Sequence, residues 1–135
     1  MADAVVDASV WVSRQSTGDP HHRRTVDWFD RRAGALQIAP ILMLPEVAGA
    51  LSRITGVPRV GHDLIRHLLR LPTLRLVPLD APLGERAALV AAELGLRGAD
   101  AVYVAVAERL GLPLITWDDD QRRRAARLVV IHRPT

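Results

Sequence analysis

Short apolar runs alternate with longer stretches of helical period along the whole chain. Ala4–Asp7 predicts a first strand, and Ser9–Ser13 the start of a helix. Between Asp19 and Ala33, the positions His22, Val26, Phe29 and Ala33 recur at helical spacing with charges elsewhere. Leu36–Ala39 predicts a second strand. Leu44–Ile54 and Pro58–Leu71 predict two helices, the first with Pro45 near its opening turn, where proline is tolerated. Leu74–Pro78 predicts a third strand, and Pro82–Leu94 a helix with Leu83, Ala87, Val90 and Leu94 on one face. In the following stretch nearly every residue from Ala99 to Ala107 is apolar or small, apart from Asp100 and Tyr103. A helix apolar all round is a buried one, and Gly111 closes it. Leu114–Thr116 predicts a strand, Gln121–Arg127 a helix and Leu128–Ile131 a last strand.

Continuous apolar strands alternating with helices predict a parallel sheet covered on both faces. The expected fold class is α/β, with a single domain over residues 1–135. In such sheets ligands gather beyond the carboxyl ends of the strands. That rule directs attention to four acids. Asp7 ends the first strand, and Asp118 follows the strand Leu114–Thr116. Glu46 and Asp100 each stand in the first turn of a helix. Strand ends and the starts of the helices that follow them share one edge, so four carboxylates from four distant segments are placed to converge.

Each acid alone has a structural explanation. Asp7 suits a helix cap, and Glu46 and Asp100 suit the positive end of a helix dipole. Asp118, Asp119 and Asp120 suit a solvated turn with a cap among them. The joint pattern is harder to dismiss. Asp7 lies between VV and ASVWV, and Asp100 between GA and AVYVAVA. Charges beside that much apolar surface carry a desolvation cost unless something pairs with them. No arginine is near enough in sequence to be the obvious partner. A hard divalent cation, Mg²⁺ or Mn²⁺, would serve, because such ions prefer oxygen ligands.

Composition narrows the chemistry. Lysine and arginine together number 18, and every one is arginine. Carboxylate clusters occur in receiver domains, in haloacid-dehalogenase-type phosphatases and in metal-dependent nucleases. The first two rely on a lysine, which this chain lacks, and the second also expects an acid where Ser9 stands. A nuclease is therefore favoured. With no cysteine there is no disulfide and no thiolate metal site. The opening residues make a poor signal peptide, and no apolar run approaches the ~18–20 residues of a spanning helix. These features point to a soluble cytoplasmic protein without a membrane partner. The net charge of +3 is too modest to establish nucleic-acid binding by itself.

The motifs VVDASVWV (5–12), PEVAGAL (45–51) and RGADAVYVAVAERLGLPLITWDDDQ (97–121) stand in order and at suitable spacing. Together they resemble the motifs of a PIN-domain ribonuclease over nearly the whole chain. The size is similar to that of VapC-type toxins of bacterial toxin–antitoxin pairs. The resemblance implies a three-layer α/β/α sandwich around a parallel sheet. It implies a divalent-metal-dependent endoribonuclease in which Asp7, Glu46, Asp100 and Asp118 form the acidic quartet. Asp7 and Asp100 would lead as metal ligands, with Glu46 and Asp118 completing the site directly or through water. One of the four would orient or deprotonate the attacking water. Ser9 and Thr116 match supporting hydroxyls, and Asp120 matches a further acid that assists a second metal. Products would carry 5′-phosphates and 3′-hydroxyls. The resemblance also implies an antitoxin whose tail lies near the second helix, and a homodimer.

Arg122, Arg123, Arg124 and Arg127 form a basic patch just after the proposed site, suited to RNA phosphate contact. A solvated helix face is the alternative, since three consecutive arginines span ~200° of a helix. His21, His22, Arg23 and Arg24 form a second patch. Adjacent helical histidines point ~100° apart, which disfavours a histidine metal site there. Trp117 suits either base stacking or packing. Trp28 and Phe29 are neighbours, so one is expected in the core and the other exposed toward a partner helix. Two other readings stay open: a non-catalytic PIN-like RNA- or protein-binding module, and a PIN nuclease of RNA maturation.

Overall fold

The computed structural model describes residues 2–135. The chain forms β1 (Ala4–Val6), α1 (Ala8–Gln15), α2 (His22–Arg31), β2 (Gln37–Pro40), α3 (Met43–Thr55) and α4 (Pro58–Arg70). It continues through β3 (Leu74–Val77), α5 (Ala81–Leu94), α6 (Gly98–Leu110), β4 (Leu114–Ile115), α7 (Asp119–Ala125) and β5 (Ile131–His132). The five strands form one sheet in the order β3-β2-β1-β4-β5. Every pairing is parallel. The expected α/β architecture around a parallel sheet is present.

The topology follows from connection handedness. From β1 the chain steps outward to β2 and β3 through α1–α2 and α3–α4, then crosses back to β4 through α5–α6. Right-handed crossovers in opposite directions put the two helical groups on opposite faces. Consistent with this, α1 packs on α2 and α3, α3 on α4, and α5 on α6. Helix α6 also lies against β1, β2 and β4. Trapped between sheet and α5, it has every residue from Ala101 to Ala107 buried. That placement explains its lack of a polar face, and it carries Asp100 under the centre of the sheet edge. Gly111 ends the helix in the left-handed conformation at φ 63°.

Helices α3 and α4 meet closely at one glycine. A Cβ on Gly61 would stand 2.9 Å from the Ala48 carbonyl oxygen, so only glycine permits this backbone approach.

Two expectations need correction. Leu128–Ile131 is not the last strand. The amides of Leu128 and Val129 turn back to the Ala125 carbonyl at 2.9 and 3.1 Å, so pairing starts only where Ile131 meets Leu114. Nor is either Trp28 or Phe29 exposed. Their rings meet edge-on at 5.0 Å, and Phe29 packs on Trp11 at 5.1 Å. The Arg32 guanidinium covers the Trp28 ring at 4.7 Å and Arg14 covers Phe29 at 4.3 Å. Arginine planes complete the burial that a single helix face cannot supply.

Candidate active site

Asp7, Glu46, Asp100 and Asp118 all lie at the carboxyl edge of the sheet. Asp7 follows β1 and caps α1, its Oδ2 accepting the Ser9 amide at 2.9 Å. Asp118 follows β4 and caps α7, its Oδ1 accepting the amides of Asp120 and Gln121 at 2.9 and 3.0 Å. Glu46 and Asp100 stand in the first turns of α3 and α6.

Hydroxyls lock the two central strand ends together. Thr116 Oγ1 donates to Asp7 Oδ2 at 3.3 Å and accepts the Asp118 amide at 3.0 Å. Ser9 Oγ lies 3.3 Å from Thr116 Oγ1 and accepts the Trp117 amide at 3.1 Å. Thr116 is fully buried, so its bond to Asp7 is shielded from water. On the other side, the Tyr103 hydroxyl donates to Glu46 Oε1 at 2.8 Å. Tyr103 follows Asp100 by three residues, on the same side of α6, and so ties α3 to α6. Gln121 Nε2 donates to the Asp100 carbonyl at 3.3 Å and ties α7 to α6.

The carboxylates repel one another. Burial pushes the Asp7 carboxyl upward, with Asp118 adding to the rise while the Ser9 and Thr116 bonds oppose it. Burial also raises Glu46, with the Tyr103 bond opposing and Asp7 and Asp100 adding. Asp100 is raised first by burial and then by Asp7, with Arg97 opposing and Asp118 adding. The buried Tyr103 phenol is pushed far above its ordinary value and stays a donor. Among the described residues, no three of these acids are drawn into a ready-made metal cage. Mg²⁺ does not require one, since it keeps several waters and uses one or two carboxylates. The donor set is all oxygen, as a hard cation demands. Asp7 Oδ1 and Glu46 Oε2 accept no protein hydrogen bond among the described residues. The residues fit such an ion.

A PIN domain family model matches residues 4–127. The chain belongs to the PIN domain family. That family comprises nucleases. No curated protein matches the sequence. Among solved structures, this PIN domain is similar to VapC20 of Mycobacterium tuberculosis, a toxin that cleaves the sarcin–ricin loop. Identity is 20%, TM-score 0.76, and the match covers 91% of this chain and 94% of that one. It is similar to FitAcB from Neisseria gonorrhoeae at 20% identity and TM-score 0.74, covering 99% and 98% of the two chains. It is also similar to the DNA-bound VapBC of Salmonella typhimurium at 15% identity and TM-score 0.72, covering 100% of both.

The PIN domain departs from its sequence reading around this site in three ways. Arg97 is the counter-charge that the sequence reading did not find. Its Nε lies 3.4 Å from Asp100 Oδ2 and its Nη2 3.7 Å from Asp118 Oδ2. It stands three residues before Asp100, a spacing at which helical neighbours meet. Asp120 donates its amide to Asp118 Oδ1, and its side chain is engaged by arginines. It is exposed and paired with Arg123 at 3.0 Å and Arg124 at 2.9 Å. Those two arginines are thereby engaged, whereas Arg122 pairs with Asp119 at 3.2 Å. One face of the Trp117 ring is already covered. His21 stacks on it at 3.9 Å and 7°, and its Nε1 donates to Thr25 Oγ1 at 2.8 Å.

The sequence reading passed over Arg97, Tyr103 and Gln121. A lone tyrosine in an apolar helix, one turn from an acid, was a usable signal. Gln121 follows three aspartates and had none. Among the described residues no helix is long and apolar enough to cross a membrane.

Proposed function

We propose that this PIN domain is a divalent-metal-dependent endoribonuclease, the toxin of a VapBC-type toxin–antitoxin pair acting in the cytoplasm. One observation carries the reading: four acids from four segments meet at one sheet edge, and three are raised in pKa by burial and mutual repulsion. A non-catalytic RNA-binding module has no use for clustered acids that repel RNA, and perturbed carboxylates of this kind mark functional sites. The toxin assignment is supported by the full-length likeness to chains from toxin–antitoxin complexes.

In this proposal Asp7 and Asp100 hold a Mg²⁺ or Mn²⁺ ion, with Glu46 and Asp118 completing its surroundings directly or through water. When bound, the cation supplies Lewis acidity at the scissile phosphate and acidifies a water. Glu46, fixed by Tyr103 and raised in proton affinity, takes the proton of the attacking water. Water oxygen bonds to phosphorus as the bond to the 3′-oxygen breaks, and the 3′-oxygen takes a proton from solvent, leaving a 5′-phosphate and a 3′-hydroxyl. Ser9 and Thr116 hold Asp7 and the Asp118 segment in register. We place the antitoxin in the apolar cleft of about 640 Å³ beside Glu46, lined by Leu42, Pro45, Leu79, Ala87, Ala91 and Val102, rather than near α2, where Trp28 and Phe29 are already buried. The active form is a homodimer.

The test is cleavage of mixed structured RNA, including transfer RNAs and ribosomal fragments, with Mg²⁺ or Mn²⁺. EDTA and Asp7→Asn serve as controls. Metal-dependent cutting lost in both controls is expected. Folded protein that neither cuts RNA nor binds metal by calorimetry would overturn the reading in favour of a binding module.

A further inference from the structure

A cavity of about 530 Å³ lies one strand over from the acids, lined by Trp28, Arg32, Ile115, Arg122, His132 and Arg133 among others. Its polar wall is cationic. Arg122 sits one turn into α7, its amide bonded to the Asp118 carbonyl at 3.0 Å. His132 and Arg133 come from the end of β5, where the His132 carbonyl accepts the Thr116 amide at 2.9 Å. Arg32 extends from the end of α2, resting over Trp28 and bonding the Ala2 carbonyl.

One side-chain carboxylate answers these cations. Asp119 accepts from Arg122 at 3.2 Å and from Arg133 at 2.6 Å. Two guanidiniums therefore share one negative charge, while among the described residues Arg32 is paired only with a carbonyl and a ring. An anion in the cavity would satisfy the excess charge. Guanidinium forks match phosphate oxygens in particular.

We propose that this cavity is a second anion site, independent of metal, that holds a phosphate of the RNA strand flanking the bond to be cut. The identity of the anion as RNA rests on the nuclease reading above. The location favours a nucleic-acid phosphate over an acidic peptide. The cavity shares α7 with Asp118 and is lined by Ile115 of β4 and His132 of β5, and it runs from there back to Ala2 and Pro113, which precede β1 and β4. The four acids repel a polyanion, and a cationic anchor one strand away offsets that repulsion while fixing the strand's direction. Backbone contacts of this kind position RNA without reading its sequence.

Full-length protein carrying Asp7→Asn, which prevents cutting, is titrated with a dye-labelled mixed-sequence single-stranded RNA across a salt series. Binding is read by fluorescence anisotropy. Arg32→Gln and Arg133→Gln are each expected to weaken binding several-fold and to lower the salt slope by roughly 0.7 per lost phosphate contact. Lysine at either position restores the slope, because it keeps the charge. Arg66→Gln on the exposed face of α4 removes the same charge elsewhere and leaves the slope unchanged. Unchanged affinity and slope in both variants would overturn the inference, as would failure of lysine to restore them in folded protein. Should wild-type protein cut RNA while both variants bind normally, the cavity loses its role and the nuclease reading stands. RNA that is neither bound nor cut by wild-type protein would overturn both.

Discussion

Asp7→Asn separates the structural duty of this acid from its chemical one. Asp7 is 5% exposed, and its Oδ2 caps α1 through the Ser9 amide at 2.9 Å. Asparagine caps a helix as well as aspartate does, so α1 should survive. The substitution weakens two bonds that now end on a charge, from Ser9 and from Thr116, at a cost of about 1 kcal/mol. It also removes a buried ionised group facing three other acids. Because burial and Asp118 raise the Asp7 carboxyl, the folded protein binds that proton more readily than the unfolded chain. Stability then falls as pH rises through the window from the unfolded value of ~3.9 to the raised folded one. Below that window the two proteins are equally protonated and should melt together. Above it the wild type carries the whole penalty.

At pH 7.5 in EDTA the variant should be the more stable, by about 1–2 kcal/mol, the usual gain on relieving strain at a functional site. For a chain of this size that is roughly 3–8 °C in melting temperature. Saturating Mg²⁺ should reverse the order, because an ion bound only by folded wild type adds ~2.7 kcal/mol at a hundredfold excess over its dissociation constant. Scanning calorimetry from pH 4.5 to 8, with EDTA and with Mg²⁺, reads both effects. A variant less stable than wild type in EDTA at pH 7.5, or an offset that does not change with pH, would refute the reasoning.

Three further substitutions probe the neighbours. Tyr103→Phe removes the bond that holds Glu46 down, so the acidic limb of the pH–rate profile should move to higher pH. The stability cost should be about 1 kcal/mol by urea melting, since Glu46 is half-buried. Arg97→Ala frees Asp100 and Asp118 of their shared counter-charge. Calorimetry should show Mn²⁺ binding about two- to tenfold tighter, the scale of two exposed ion pairs; weaker binding would mean that Arg97 supports the ion. Gly61→Ala drives a Cβ onto the Ala48 carbonyl and should cost ~1–3 kcal/mol in urea melts without altering metal affinity.

Most of the fold was legible because its central strands β1, β2 and β4 are buried on both faces and its helices are punctuated. Continuous runs such as AVV and LI have no solvent face to confuse the period. Pro58 at the start of α4 and Gly111 at the end of α6 mark ends with defined backbone geometry. Legibility failed where tertiary contacts overrode local pattern. Residues 128–130 are apolar enough for a strand, yet the amides of Leu128 and Val129 are spent on turning off α7. Trp28 and Phe29 cannot share one helix face, but a pair of arginine planes covers what the core does not reach.

The site was legible through its acids and illegible through their partners. Reading Asp7 and Asp118 from sequence set capping against ligation as rivals. The structure removes the rivalry, because a carboxylate has two oxygens. Asp7 gives Oδ2 to Ser9 and Thr116, and Asp118 gives Oδ1 to the start of α7. Asp7 Oδ1 stays free of protein hydrogen bonds among the described residues, and Asp118 Oδ2 meets only the exposed Arg97. Capping fixes the rotamer of each side chain, so the remaining oxygen is held in place before any ligand arrives. A strand-end acid that caps the next helix is therefore a better ligand for doing so. The same logic explains why Arg97 escaped notice. An exposed arginine three residues before an acid looks like a common surface pair, and only the convergence of α6 with the end of β4 makes it bridge two members of the cluster.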